Sequence, residues 1–189
     1  MIESFDNEVF EGKNYSGQAL LKHEYDTCVF KGCDFSEADL SGTSFMDCEF
    51  IDCNISNAKL KDTSFRDVTF KNCKLLGLNF SVCNKFLSLL KFEDCVLTIA
   101  SFFKLKLGGT KFKNCNLREA DFADADFTAS VFANCDFSGA IFDNTVLEKA
   151  DFRTSYNFSI NPEKNKIKKA KFSLNTVAGL LESYNIEIE

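Results

Sequence analysis

An apolar residue at every fifth position is the feature of this chain that most restricts its fold. From Phe5 to Phe80 the run is unbroken: Phe5, Phe10, Tyr15, Leu20, Tyr25, Phe30, Phe35, Leu40, Phe45, Phe50, Ile55, Leu60, Phe65, Phe70, Leu75 and Phe80. An amphipathic helix needs apolar spacing near 3.6 and a half-buried strand needs 2. A sustained period of five fits neither, so the chain must turn a corner every five residues. The same period returns two residues out of phase at Phe92, Leu97, Phe102, Leu107, Phe112, Leu117, Phe122, Phe127, Phe132, Phe137, Phe142, Leu147 and Phe152.

Two residues before most of these central positions stands a small side chain, among them Cys28, Cys33, Ala38, Thr43, Cys48, Cys53, Ala58 and Thr63, and later Cys95, Ala100, Thr110, Cys115, Ala120, Ala125, Cys135 and Ala140. Both positions must point inward. A second period of twenty lies above the first. Cys33, Cys53 and Cys73 are twenty apart, and after the shift the column continues as Cys95, Cys115 and Cys135. Parallel columns run Ala38, Ala58, Leu78, Ala100, Ala120, Ala140 and Phe30, Phe50, Phe70, Phe92, Phe112, Phe132, Phe152. Four corners to a coil make a solenoid in which like packs on like.

Coils about 4.8 Å apart let backbone groups pair with the coils above and below, and about seven coils give a rod of roughly 35 Å. Each buried Phe contributes about 1.5 to 3 kcal/mol. This explains a composition of 22 Phe and 9 Cys with no Trp in 189 residues, a length that suits one domain.

A central Phe or Leu, with Ala or Cys two before it and Asp or Asn between, as in Cys33-Asp34-Phe35-Ser36 and Ala120-Asp121-Phe122, resembles the pentapeptide repeat family. The resemblance implies an all-β, right-handed quadrilateral parallel β-helix over residues 1–160. The register slips in the segment 81–91, where Lys85 stands at a central position beside Phe86 and Leu87. That break reads either as a local packing adjustment or as a partner contact or hinge.

Residues 161–189 form the other unit: a lysine-rich loop after Pro162, a final corner at Ala170-Lys171-Phe172-Ser173, and a helix over 174–184 with Ser173 as N-cap. Leu174, Val177, Leu180 and Leu181 fall on one face of that helix. Ile186-Glu187-Ile188 alternates like a short strand. An open solenoid end needs a cover, and the helix serves as a cap, with or without a homodimer interface. Quinolone-resistance members of the family, which this end resembles, join two rods there.

The net charge of -6 argues against direct binding to a nucleic acid backbone. It is unevenly placed. Glu119, Asp121, Asp124, Asp126, Asp136, Asp143, Glu148 and Asp151 face only Lys149 within residues 119–151, a net -7, so the remaining rod is neutral in sum. Over roughly 8 Å of rod this is about one charge per 1.1 Å, against about one per 1.7 Å in duplex DNA. The resemblance implies DNA mimicry toward DNA gyrase or topoisomerase IV, through Asp121, Asp124, Asp126, Asp136, Asp143 and Asp151. The alternatives are that these are the ordinary solvated positions of an Asp-favouring repeat, and that the rod is a scaffold for a partner unrelated to DNA.

Catalytic constellations are not apparent. His23 is the one histidine and lies outside any repeat centre, Cys28 and Cys33 lack the spacing of a zinc pair, and no EF-hand or phosphate loop is present. No cofactor or metal is expected. With no basic and apolar leader and no apolar run near 20 residues, the expected setting is the cytoplasm, with the cysteines as thiols.

Overall fold

The computed structural model describes residues 3–20, 23–84 and 87–187. Each five-residue unit forms one side of a square coil, with the central residue and the residue two before it pointing inward. The fold is a four-sided parallel β-helix.

The first face carries strands β1 (Ser4–Asp6), β3 (Glu24–Asp26), β5 (Ser44–Met46) and β7 (Ser64–Arg66). The second face carries β2 (Val9–Glu11), β4 (Val29–Lys31), β6 (Glu49–Ile51), β8 (Thr69–Lys71), β9 (Lys91–Glu93), β10 (Lys111–Lys113) and β11 (Val131–Ala133) in one seven-stranded parallel sheet. Single bridges stack the third face (Asn14, Asp34, Asn54, Lys74, Val96, Asn116, Asp136) and the fourth (Asn79, Ser101, Asp121, Ile141). The first face resumes at Lys106, Asp126, Val146 and Lys166.

The aromatic column on the second face is continuous. Phe10, Phe30, Phe50, Phe70, Phe92, Phe112, Phe132, Phe152 and Phe172 stack ring on ring, with centroids 4.7 to 5.5 Å apart. Eight such steps at about 4.8 Å make a rod of roughly 40 Å. On the first face Phe5, Tyr25, Phe45 and Phe65 stack in the same way.

The inward cysteines are more than space fillers. The thiols of Cys33, Cys53, Cys73, Cys95 and Cys115 each donate to the carbonyl of a central residue in the preceding coil, namely Phe10, Phe30, Phe50, Phe70 and Phe92, at 3.3 to 3.5 Å. Ser155 continues the column by donating to the Phe132 carbonyl at 2.8 Å. All nine cysteines are free and buried, and burial pushes the Cys48 and Cys83 thiols up to about 12.

The register break resolves to a narrow site. Asn84 N–H donates to the Thr63 carbonyl just as Ser64 N–H does to Thr43, so the original register holds through Asn84. Arg66 then pairs with Ser88, an offset of 22 residues, and Leu87 takes the buried central position. The extra two residues therefore fall between Asn84 and Leu87, and Lys85 and Phe86 lie outside the described residues.

The helix expected over 174–184 is not α-helical. Two short 3-10 helices, Val177–Leu180 and Glu182–Tyr184, take its place, and the described residues contain no α-helix. Asn175, Thr176, Val177 and Gly179 are weak helix formers. Ser173 is not the N-cap: Thr176 holds that position, without a side-chain cap bond, while the Ser173 carbonyl accepts from Val177 N–H at 3.0 Å and its hydroxyl pairs with Thr176 Oγ1 at 2.8 Å. The expected final corner is present: Phe172 stacks on Phe152 at 5.5 Å and Lys171 bridges to Asp151. The segment lies over the last coil, with Ile160 N–H donating to the Gly179 carbonyl at 2.9 Å and the Tyr184 hydroxyl to Glu163 at 2.9 Å. No strand includes Ile186 or Glu187, and Ile188 lies outside the described residues.

Candidate partner-binding surface

Outward positions carry whatever the rod presents to a partner, and two of the three serve the backbone as well. The residue before each centre is often Asp or Asn, and its side-chain oxygen accepts from the N–H two residues on. Asp34, Asp39, Asp121, Asp126 and Asp136 do this at 2.8 to 3.0 Å, onto Ser36, Ser41, Ala123, Thr128 and Ser138. Asn14, Asn54 and Asn116 make the same contact without a charge. The residue two after most centres adopts a left-handed conformation, as at Asp52, Asn72, Asp94, Asn114, Asp124, Asn134 and Asn144. Asx side chains tolerate that region better than most. They also form ladders between coils: Asn72 donates to Asp52 at 2.6 Å, Asn114 to Asp94 at 2.8 Å and Asn144 to Asp124 at 2.6 Å.

The six acidic residues singled out in the sequence therefore separate. Asp121, Asp124 and Asp143 lie on the fourth face or its edge, and Asp126 begins the adjoining first face one corner on. These four form one acidic edge, flanked by exposed Glu119. Asp136 is on the third face. There burial opposes ionisation, but hydrogen bonds from Ser138 and Asn157, with Arg118 nearby, hold its carboxyl below the usual range. Asp151 is on the second face, where Arg153 grips it through Nε at 3.0 Å and Nη2 at 2.7 Å, with Lys171 at 3.9 Å. Those contacts hold its pKa down, and its charge is neutralised within the chain. Only Asp143 has no backbone duty or ladder contact among the described residues.

Sequence reasoning missed a band of the opposite sign. Residues 74–118 hold eight bases, Lys74, Lys85, Lys91, Lys104, Lys106, Lys111, Lys113 and Arg118, against Glu93 and Asp94, a net +6. Residues 1–73 carry fourteen acids against seven bases, a net -7. A charge sum taken segment by segment reveals what the neutral total concealed.

At the C-terminal end, Leu174 is 94% exposed and Val177 is exposed, whereas Leu180 packs against the core and Leu181 is partly covered. The four do not share one solvent-facing stripe, because 3-10 turns space side chains differently from an α-helix. His23 points inward, edge-on to Phe5 and Tyr25, with Nδ1 3.9 Å from Glu3. No cluster of metal-ligating side chains occurs among the described residues, and no helix among them is long and apolar enough to cross a membrane.

A rod with a packed core of stacked coils and polar side chains on its outer faces is a parallel β-solenoid. Family models for the pentapeptide repeat region match residues 23–102 and 43–122, and one for pentapeptide repeats matches 120–155. The chain belongs to the pentapeptide repeat family. It is similar in structure to QnrB1, a plasmid-mediated fluoroquinolone resistance protein, with a TM-score of 0.62 and 20% identity over 100% of this chain and 99% of that one. It is also similar to HetL, a pentapeptide repeat protein involved in heterocyst differentiation regulation from the cyanobacterium Nostoc sp. strain PCC 7120. There the TM-score is 0.53 with 16% identity over 92% of this chain and 90% of that one. A search of curated proteins gives no match to this chain. These likenesses establish the fold, and the two neighbours have different roles.

Proposed function

We propose that this chain is a non-enzymatic, DNA-mimicking protein whose acidic edge occupies the DNA-binding surface of DNA gyrase or topoisomerase IV. The observation that carries the reading is the use of Asp where Asn would serve the fold equally. The four Asx residues that precede a centre within 119–151, namely Asp121, Asp126, Asp136 and Asp151, are all Asp. Elsewhere the position is shared between Asn14, Asn54 and Asn116 and the acids Asp34 and Asp39. The fold requires an acceptor there and does not require a charge. Fixed carboxylates on a rigid rod resemble the regular anionic surface of a duplex, and a DNA-binding groove recognises that chemistry without base readout.

The likeness to QnrB1 suggests protection of such an enzyme from quinolones, acting in the cytoplasm. The exposed Leu174 and Val177 suggest a homodimer joined through the C-terminal unit, residues 161–189. The second reading, a scaffold for a partner unrelated to DNA, draws on the likeness to HetL and on the neutralisation of Asp151.

Purified protein in a gyrase or topoisomerase IV assay, with and without a fluoroquinolone, tests the reading. The wild-type chain should inhibit supercoiling or relieve the drug, and Asp124→Lys with Asp143→Lys should lose at least about tenfold in potency. Lysine already occupies the left-handed corner equivalent to Asp124 at Lys104 and Lys149, and the exposed Asp143 is at no such corner, so the variant should fold normally. No effect of the wild-type protein at micromolar concentration on either enzyme would sink the proposal.

A further inference from the structure

On the second face of this rod, opposite charges in successive coils find each other. Lys31 meets Glu11 at 3.6 Å, Lys71 meets Glu49 at 3.4 Å, Lys171 meets Asp151 at 3.9 Å, and Lys113 pairs closely with Glu93. Off that face the pairing lapses: Asp39 and Lys59 are bridged on the fourth face without an ion pair, and the edge between the fourth and first faces behaves likewise. Lys104 and Lys106 stand one coil above Asp124 and Asp126, with Lys106 and Asp126 bridged through their backbones, yet no ion pair joins either lysine to either aspartate.

Three of the four side chains are engaged elsewhere. Lys104 lies over the Phe103 ring, 4.6 Å from its centroid. Asp124 is held from below by Asn144 at 2.6 Å, and Asp126 accepts from Thr128 N–H at 2.8 Å. Two cations and two anions, one coil or about 5 Å apart, are thus left without ionic partners among the described residues. Most residues beside them are short, Gly108 and Gly109 in the upper coil and Ala123, Thr128 and Ala129 in the lower, and the large neighbour is Phe103, whose ring lies against Lys104.

We propose that this edge pairs with the same edge of a second copy of the chain, the two rods lying side by side and antiparallel. Symmetry selects that arrangement. Parallel rods in register would set Lys against Lys and Asp against Asp. A two-fold axis between the two coils sets Lys104 and Lys106 of each copy against Asp124 and Asp126 of the other, and it closes the assembly at two. The contact is charge-rich and therefore salt-sensitive. It differs from an end-to-end dimer, and it stands independently of the topoisomerase reading, although a partner that takes Asp124 would compete with it.

The test is sedimentation velocity in a Leu174→Ser, Val177→Ser background, which removes the exposed end residues from consideration. At low salt this chain should reversibly form a species of twice its mass, and a tenfold rise in ionic strength should weaken the association about tenfold or more. One variant carries Lys104→Glu and Lys106→Glu, another Asp124→Lys and Asp126→Lys, each bringing to one coil residue types the other already holds. Neither should self-associate, whereas an equal mixture should form a one-to-one complex, because each contact is again oppositely charged. A background chain that stays monomeric, charge variants that still dimerise alone, or a mixture that fails to associate would each overturn the proposal.

Discussion

An inward hydroxyl or thiol in this solenoid is placed to donate to a carbonyl in the coil before it, and two threonines isolate that contribution. Thr63 donates to the Leu40 carbonyl at 2.8 Å, while the equally buried Thr43 hydroxyl has no partner among the described residues. Thr63→Val should therefore cost about 1 kcal/mol, and Thr43→Val should be neutral or stabilising by about 1 kcal/mol; urea unfolding of both variants checks the opposite signs. The outward carboxylates predict a pH dependence. Hydrogen bonds hold Asp34, Asp39 and Asp151 below the ordinary carboxylate range, from Ser36, Ser41 and Arg153 respectively. A depressed folded-state pKa contributes stability that is present above the unfolded value, about 4, and is lost as pH falls through the folded one. The thermal midpoint should drop on acidification below about pH 4, and Asp151→Asn should make the acid limb shallower. The inward columns were legible in the sequence because burial selects side-chain type directly. The roles of Asp121, Asp124 and Asp126 were not, since an acceptor for a turn and a ligand for a partner are the same residue until the coil closes around it.

Between residues and rod lie the elements, and the two that depart from strict repetition show where periodicity stops informing. The break placed at 81–91 narrows to the interval between Asn84 and Leu87 only because pairing on either side can be traced. The C-terminal segment has an apolar spacing that suits a helix, yet it folds as 3-10 turns because its course is set by what it covers. Gly179 is the point of closest approach: a Cβ there would meet the Phe158 carbonyl and ring. Backbone cannot yield as a flexible side chain does, so Gly179→Ala should lift the segment off Phe158 and Ile160. Limited proteolysis should then cut within 174–187 at least about tenfold faster, a loss near 1.4 kcal/mol of local stability or more. An unchanged cleavage rate would show that the segment is not held there.

The molecule as a whole is banded: acidic over residues 1–73, basic over 74–118, acidic over 119–151. The fold itself, seen as a repeat of five beneath a repeat of twenty, was almost wholly legible, because each coil repeats the constraints of the last. The surface was legible in composition but not in arrangement. Faces and edges arise only when residues 20 apart are brought within about 5 Å, and that step gathers Asp121, Asp124, Asp126 and Asp143 while sending Asp136 and Asp151 to other sides. This gathered edge is proposed to stand in for a duplex. Displacement of a fluorescent DNA duplex from gyrase or topoisomerase IV, followed by anisotropy, measures that directly. The wild-type chain should displace the DNA competitively, more weakly as salt rises, and the Asp124→Lys, Asp143→Lys variant should fail at concentrations where wild type succeeds. Displacement by the variant equal to that by wild type, or binding to the enzyme with its DNA undisturbed, would contradict the account.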